Sequence, residues 1–322
     1  MLFRSLAHEW GHAIQQRGGV DEDGVIMEQQ ADCFAGVWTR HLPKTAAGSG
    51  LSLDPADLDG AVAGLIGFRD PVGLTPATEG SHGTGFDRVR AFQEGYADGV
   101  ARCVAYEDDP PELVGTAFPD LRSRLFGGDA PFREVVPNVA ASLDAYWRRA
   151  GTEAPHVEAV VGSKRSACSV EAVGAEGMPT DDLSYCPSDR TVRWRVDAMR
   201  RIYDDIGDFA VATAFAEVWA RVYAGEGASD AVSTKVALCR SGAWARDVFE
   251  ATPKDGRPVT YEPDFSGGQS FRVGLTLSPG DLDEAVQVLL GAEGVRGRGA
   301  SGDPFARVDS FRVGFFGRIG AC

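Results

Sequence analysis

The chain has 322 residues, of which 43% are hydrophobic, so it is long enough for two domains with ordinary cores. Its formal net charge of −15 argues against nucleic acid or an anionic membrane as a partner. No apolar run reaches the roughly 18 residues that span a bilayer, and residues 1–20 lack the pattern of a signal peptide.

The first predicted helix, residues 2–16, contains the pattern His8-Glu9-Trp10-Gly11-His12. Residues four positions apart lie on one face of a helix, so His8 and His12 can place two imidazole nitrogens on one metal ion. Glu9 lies between them, where its carboxylate can reach a water on that ion. This is the HExxH arrangement of zinc peptidases, and a surface helix that matches it by chance is the alternative.

A second helix is predicted for residues 26–42, where apolar residues recur at the spacing of a buried helix face. These residues are Ala31, Phe34, Ala35, Trp38 and Leu42. Glu28 falls on the same face, where a carboxylate is costly unless it has a partner, and a metal ion would be one. Zinc in hydrolases usually takes three protein ligands and a water, so the predicted ligands are His8, His12 and Glu28. Glu9 would then be the general base toward the zinc-activated water.

Three further polar residues are candidates around this site. Asp32, one turn after Glu28, could accept the outer N–H of a liganding histidine, or it could be an ordinary exposed or capping residue. His82, in a loop that opens a helix, could donate to the oxyanion of a tetrahedral intermediate, or it could be a structural residue. Arg88 has a counterpart in Arg307, which favours a structural ion pair over catalysis.

The remaining pattern predicts a mainly α protein, of the α+β type with a small sheet. Helices are expected at residues 55–67, 84–102, 133–149 and 198–214, a strand at 191–196, and a connector with a possible short helix at 104–128.

The chain also contains an internal repeat. Ala31–Trp38 recurs as Ala237–Trp244, Leu51–Val62 recurs as Leu275–Val286, and His82–Cys103 recurs as Ser301–Cys322. The repeat predicts two tandem copies of one domain, residues 1–115 and 116–322, of which the second carries a longer loop at about 245–274. Residues 185–214 lead into the second copy. The first copy should have at least about 30 residues before His8, so we expect it to lack its N-terminal part.

The second copy lacks the residues that the metal chemistry needs. The repeat aligns the site residues with Phe215, Ala216, Trp219, Thr234, Leu238 and Ser301, and no histidine occurs after residue 156. We therefore predict that this copy is degenerate and is kept for packing or for binding.

The six cysteines follow the same repeat. Equivalent positions favour the pairs Cys33–Cys103 and Cys239–Cys322, and leave Cys168 and Cys186 as a third pair. Disulfides are typical of oxidising compartments, so we expect an extracytoplasmic protein, secreted or on the cell surface. Reduced, buried thiols in a cytosolic protein are the alternative.

Together these motifs resemble the bacterial predicted neutral zinc metallopeptidases, a gluzincin-like family. The resemblance rests on His8–His12, Glu28–Trp38, Asp57–Ala61 and Ser81–Gly83; it covers residues 1–103 closely and 185–322 in a weaker form without the site. It implies a zincin-like fold, zinc bound by His8, His12 and Glu28, Glu9 as general base, and a peptide or protein substrate.

Two other functions remain open. A non-catalytic binding or scaffold protein could be built on the duplicated peptidase fold, with the second copy as its interaction surface. A zinc-dependent hydrolase of non-peptide amides would use the same ligands.

Overall fold

The computed structural model describes residues 2–20, 24–45, 53–118, 121–148, 154–162, 168, 172–223, 231–252, 275–291 and 303–322. This part of the chain is mainly helical and includes one small mixed sheet, in agreement with the predicted α+β class. It divides into two compact units, Met1–Ala117 (unit 1) and Phe118–Cys322 (unit 2). No helix in the described ranges is both long and apolar enough to cross a bilayer.

Unit 1 is helical throughout its described secondary structure. Its helices are α1 (Leu2–Gly18), α2 (Val25–Thr45), α3 (Pro55–Gly67), α4 (Gly85–Asp98) and α5 (Val100–Val104), with a 3-10 turn at Ala105–Glu107. Helix α2 packs against both α1 and α4, so it forms the centre of the unit.

Unit 2 combines helices with the sheet. Its helices are α6 (Leu121–Leu125), α7 (Phe132–Arg148), α8 (Val196–Asp205), α9 (Asp208–Val222), α10 (Ala231–Ala251), α11 (Asp281–Leu290) and α12 (Pro304–Gly317). Its strands are β1 (His156–Val160), β2 (Val173–Gly174), β3 (Leu183–Cys186) and β4 (Thr191–Arg195), in the order β1-β4-β3-β2. Strand β4 pairs with β1 in parallel and with β3 in antiparallel register, and β2 runs antiparallel to β3.

Glycines divide two of the predicted helices. The expected helix at 84–102 is broken at Gly99, and the expected helix at 198–214 is broken at Gly207. Both glycines have positive φ, 81° and 148°, which ends an α-helix and is easy only for glycine. The longer loop expected at about 245–274 begins later than predicted, because α10 continues through Ala251; residues 253–274 lie outside the described part of the chain.

In unit 1, helices α2 and α4 are in backbone contact through two glycines. A Cβ atom on Gly36 would lie 2.0 Å from the carbonyl oxygen of Phe92, and one on Gly95 would lie 1.9 Å from that of Cys33. Any larger residue at either position must push the helices apart. The Cys33–Cys103 disulfide ties α2 to α5 beside this contact.

Unit 2 has the same kind of contact between α10 and α12. A Cβ atom on Gly242 would lie 1.9 Å from the carbonyl oxygen of Phe311, and one on Gly314 would lie 1.7 Å from that of Cys239. The Cys239–Cys322 disulfide, which the repeat predicted, is also present in this unit. The two units therefore share this packing detail at the positions that the repeat aligns, while the duplication itself stays a prediction.

The third predicted cysteine pair is also present. Cys168 is bonded to Cys186 at the end of β3, with the two Cα atoms 5.6 Å apart. All six cysteines are therefore in disulfides, which is compatible with a location outside the cytoplasm.

Candidate metal centre

Helices α1 and α2 bring His8, His12 and Glu28 to one point. Nε2 of His8 lies 3.1 Å from Nε2 of His12 and 3.1 Å from Oε2 of Glu28, and Nε2 of His12 lies 3.5 Å from Oε1 of Glu28. The two histidines share a face of α1 because they are four residues apart. Glu28 lies in the first turn of α2.

Gly11 lets the two helices approach this closely. A Cβ atom at this position would lie 2.7 Å from both the Cα and the carbonyl oxygen of Ala31 on α2. Gly11 directly precedes His12, and Ala31 lies three residues after Glu28. A close approach of the α1 and α2 backbones therefore lies directly beside the site.

Asp32 fixes the orientation of His8. Its Oδ1 lies 2.8 Å from Nδ1 of His8, and its side chain is fully buried. Arg88 on α4 donates from Nε and Nη2 to the same carboxylate, at 2.7 and 3.0 Å, and from Nη1 to the carbonyl of Phe68. The sequence left Asp32 open between accepting from a histidine and an ordinary exposed or capping position; in the structure it is buried and accepts from His8. Arg88 forms an ion pair with the same carboxylate, as its recurrence in the repeat favoured.

Gln15 fixes the orientation of His12. Its Oε1 lies 2.8 Å from Nδ1 of His12, while its Nε2 donates to the carbonyl of Met27 and to Oε1 of Gln30. Gln30 in turn donates from Nε2 to the carbonyl of Cys103. The side-chain amides of Gln15 and Gln30 are both buried. Each NH2 group is identified by its hydrogen bond to a backbone carbonyl, so the Oε1 atoms are the acceptors.

These contacts determine the protonation of the two histidines. Asp32 and Oε1 of Gln15 are acceptors, so Nδ1 of His8 and Nδ1 of His12 must each carry a proton. In neutral imidazoles the two Nε2 atoms then present lone pairs to each other and to Glu28. Oε2 of Glu28 is buried and receives no well-directed hydrogen bond, although Nε2 of His8 is close. The arrangement needs a positive charge at its centre, from a metal ion or from a second proton on His8.

The ionisation of the site is consistent with this need. Burial disfavours the charged form of His8, but the nearby carboxylates of Asp32 and Glu28 outweigh burial and raise its pKa to about 9. Burial also opposes ionisation of Glu28 and Asp32, yet the pKa of each is lowered. His8 and His12 lower the pKa of Glu28, whereas Arg88 and His8 lower that of Asp32. Without a metal, the proton on His8 supplies the missing charge.

The donor set also fits a divalent metal by its chemistry. Two imidazole nitrogens and one carboxylate oxygen are the ligands that zinc takes in many hydrolases, with a further position left for water. One ligand atom from each of His8, His12 and Glu28 lies within 4.8 Å of the other two. Asp32 and Gln15 hold the outer nitrogens, as is usual for histidines that bind zinc.

His82 lies at the edge of this cluster. Its Nε2 is 3.9 Å from Oε2 of Glu28, its Nδ1 is 3.4 Å from Oδ1 of Asp70, and about half of its side chain is exposed. Asp70 also accepts from the hydroxyl of Ser81 and from the backbone N–H groups of His82 and Gly83. These donors lower the pKa of Asp70 although burial opposes ionisation. The Asp70 carboxylate therefore holds residues 81–83, and Nε2 of Gln29 also donates to the carbonyl of His82.

Glu9 is placed differently from the other predicted site residues. It is exposed on α1, and it forms no hydrogen bond or ion pair with a residue that the structure describes. The next residue, Trp10, is also exposed, with the guanidinium of Arg17 5.8 Å above its ring. Glu9 is thus free to contact a bound molecule.

Gln15, Gln30 and Asp70 were not predicted from the sequence. Gln15 follows His12 by three residues, so helical spacing could have placed it beside that ligand, whereas Gln30 follows Glu28 by only two and lies on a different face of the helix. Asp70 had no such signal, because it lies in a loop twelve residues before His82.

Unit 2 has a different arrangement at the positions that the repeat aligns with this site. Phe215 and Trp219 are completely buried. Thr234 accepts from Nη2 of Arg221, and the same guanidinium lies 3.0 Å from the buried carboxylate of Glu217. The region is thus apolar with an internal ion pair. Ser301, aligned with His82, lies outside the described residues.

No protein-family model, curated protein or solved structure matches this chain. The resemblance to the zinc metallopeptidases therefore stays a hypothesis that rests on the motifs and on the geometry above.

Proposed function

We propose that the protein is a zinc-dependent endopeptidase whose site lies in unit 1. The observation that carries the proposal is the fixed orientation of the two histidines. Because Asp32 and Gln15 take the Nδ1 protons, His8 and His12 direct their Nε2 lone pairs to the point that the Glu28 carboxylate faces. A helical histidine pair without a metal role has no need of two such buried acceptors.

Each residue near this point has a role in peptide hydrolysis. A bound zinc ion would polarise a carbonyl group and lower the pKa of a water. Glu9, exposed beside the two histidines, would take the proton from the attacking water and pass it to the leaving amine. His82, held by Asp70, would donate to the carbonyl oxygen of the substrate as negative charge develops on it.

Further proposals concern the organisation and location of the protein. We propose that residues 1–115 and 116–322 are tandem copies of a zincin-like domain, supported by the matching glycine contacts and disulfides of the two units. The three disulfides support a secreted or surface location. A peptide or protein is the proposed substrate, and zinc is the proposed cofactor.

A non-catalytic binding protein is the second candidate. It is favoured by unit 2, where buried apolar side chains and the Arg221–Glu217 pair occupy the positions aligned with the metal ligands. Such a protein could still bind zinc in unit 1 for structural reasons.

Zinc content and peptide cleavage, measured on the full chain, separate these candidates. The peptidase proposal expects one zinc per chain, cleavage of a broad peptide library, and loss of cleavage with retained zinc in Glu9→Gln. Glu28→Gln is expected to lose zinc as well. His156→Ala, which removes an exposed histidine of unit 2, is the matched control and should change neither quantity. Full zinc occupancy without any cleavage supports the binding protein, and absence of zinc binding refutes the peptidase but not the binding protein.

A further inference from the structure

A second cluster of acidic side chains lies in unit 2, outside the proposed active site. Asp129, Asp208 and Glu284 each offer one carboxylate oxygen within 4.8 Å of the other two. Asp208 and Glu284 are buried, each with 9% of its surface exposed, and Asp129 is partly buried. Asp281, 3% exposed, lies close enough to act on the ionisation of Asp208 and Glu284.

Backbone N–H groups at the start of α9 and before α7 account for part of the cluster. Ala130 donates to Oδ2 of Asp208 at 2.7 Å, and Phe209 donates to Oε2 of Glu284 at 2.9 Å. The N–H of Asp208 lies 3.4 Å from Oδ1 of Asp129. Together with a further hydrogen bond from the N–H of Ala210 to Glu284 and a side-chain hydrogen bond between Asp129 and Glu284, these contacts account for much of the cluster but leave Oδ1 of Asp208 unpaired.

The second oxygen of Asp208 has no partner. Oδ1 is buried from solvent and receives no hydrogen bond, although a buried, unpaired carboxylate oxygen is costly. Among the described residues, no arginine, lysine or histidine forms an ion pair with any member of the cluster. The carboxylates of the cluster therefore surround Oδ1 of Asp208, an atom that receives no hydrogen bond.

Gly207 makes this close approach possible. A Cβ atom on Gly207 would lie 2.2 Å from both the carboxyl carbon and Oε1 of Glu284, and its φ of 148° also favours glycine. Because residue 207 is a glycine, the Glu284 carboxylate can lie at the start of α9, next to Asp208. A side chain on residue 207 would occupy the same space.

Ionisation of the cluster is correspondingly unfavourable. Burial, and then repulsion by Asp129, raise the pKa of Asp208 to about 7 although backbone N–H groups lower it. Burial and neighbouring carboxylates also raise the pKa values of Asp281 and Glu284.

We propose that Asp129, Asp208 and Glu284 bind a calcium ion in unit 2. All candidate ligands are carboxylate oxygens, which suit hard cations, whereas zinc prefers nitrogen and sulfur. Calcium accepts irregular sets of six to eight oxygens, while magnesium keeps several waters in a regular octahedron, for which a buried cluster leaves little room. This site is independent of the proposed peptidase activity.

The test uses the full chain, treated with a chelator and then given one equivalent of zinc so that unit 1 is saturated. Calorimetric titration with calcium chloride is expected to show one site per chain. Calcium at about 10 mM, above the dissociation constants of about 0.1–1 mM of extracellular calcium modules, should raise the Tm of unit 2 by roughly 3–10 °C. Absence of both signals in the wild-type protein overturns the proposal.

Variants locate the binding. Asp208→Asn should weaken calcium binding at least about tenfold and, without calcium, should leave Tm unchanged or higher because it relieves repulsion. Asp129→Asn, at a more exposed position, gives a second variant if Asp208→Asn does not fold. Asp205→Asn removes an exposed carboxylate of α8 and is the matched control. An equal calcium response in Asp208→Asn and wild type also overturns the proposal, as does stability that rises on acidification but not with calcium.

Discussion

Replacement of Asp32 by Asn tests both the packing and the metal chemistry of unit 1. The buried Asp32 carboxylate accepts two hydrogen bonds from Arg88 and one from His8. Asn has the same shape, but it has no charge and offers only one oxygen, so its NH2 group must face a donor. The variant therefore leaves the Arg88 guanidinium, whose side chain is 6% exposed, without its counter-charge.

The expected loss of stability follows from this burial. Removal of one partner from a buried ion pair costs about 3–5 kcal/mol, a large part of the roughly 5–15 kcal/mol that stabilises a typical protein. Zinc affinity should fall by about 10–100-fold, because His8 loses the acceptor that sets its tautomer. Urea unfolding of the zinc-free protein measures the first effect, and competition with a chromophoric chelator measures the second.

The double variant Asp32→Asn/Arg88→Met separates the two effects. It removes the stranded cation, so most of the stability should return, whereas zinc affinity should stay below that of the wild type because a neutral amide is the weaker acceptor. A single variant within about 0.5 kcal/mol of the wild type, which is the range of ordinary surface changes, would refute the inferred role of the ion pair. Wild-type zinc affinity in Asp32→Asn would refute the role of Asp32 in holding His8.

Three further predictions follow from the same contacts. Gln15→Met should weaken zinc binding by about tenfold, since His12 loses the acceptor for its Nδ1 proton, and unchanged affinity in the chelator assay would contradict this. Gly95→Ala should cost at least about 1–3 kcal/mol in urea unfolding, because its Cβ meets a carbonyl oxygen, whereas Gly60→Ala, in open space on α3, should be neutral or stabilise by up to about 1 kcal/mol. In the zinc-free protein, the pKa of His8 is raised to about 9, so protonation of His8 adds to the free energy of unfolding. This added stability is complete below about pH 6.5 and is lost as the pH rises through about 9. Zinc competes with that proton, so its apparent affinity should rise by up to about tenfold per pH unit over this range, and a pH-independent affinity would exclude the competition.

Local signals predicted the helix boundaries well where a cap is encoded. Helix α3 begins and ends at the expected residues, and its start is encoded by Asp54 and Asp57, which form a capping box around Pro55. The breaks at Gly99 and Gly207 were missed since the apolar periodicity continues through both glycines. Glycine can adopt both a helical φ and the positive φ found here, so the residue type alone did not decide where each helix ends.

The histidine cluster of unit 1 and the acidic cluster of unit 2 differ in how far each could be predicted from the sequence. His8 and His12 are four residues apart and Glu28 follows on the next helix, so helical geometry alone predicts that they meet. Asp208 and Glu284 come from elements far apart in the chain, and no short pattern links them. Only the fold shows that α11 places a carboxylate at the start of α9.

Charge compensation distinguishes the candidate zinc site from the ion pairs elsewhere in the protein. Glu217 is completely buried in unit 2, but Arg221 lies 3.0 Å away and supplies a permanent positive charge. Glu28 faces imidazoles instead: those of His8 and His12, whose outer protons are already held by Asp32 and Gln15, and at 3.9 Å that of His82. An arginine compensates a carboxylate at every pH, whereas a histidine does so only while it is protonated. A site built from two oriented histidines therefore can exchange its proton for a metal ion, and the Arg221 site cannot.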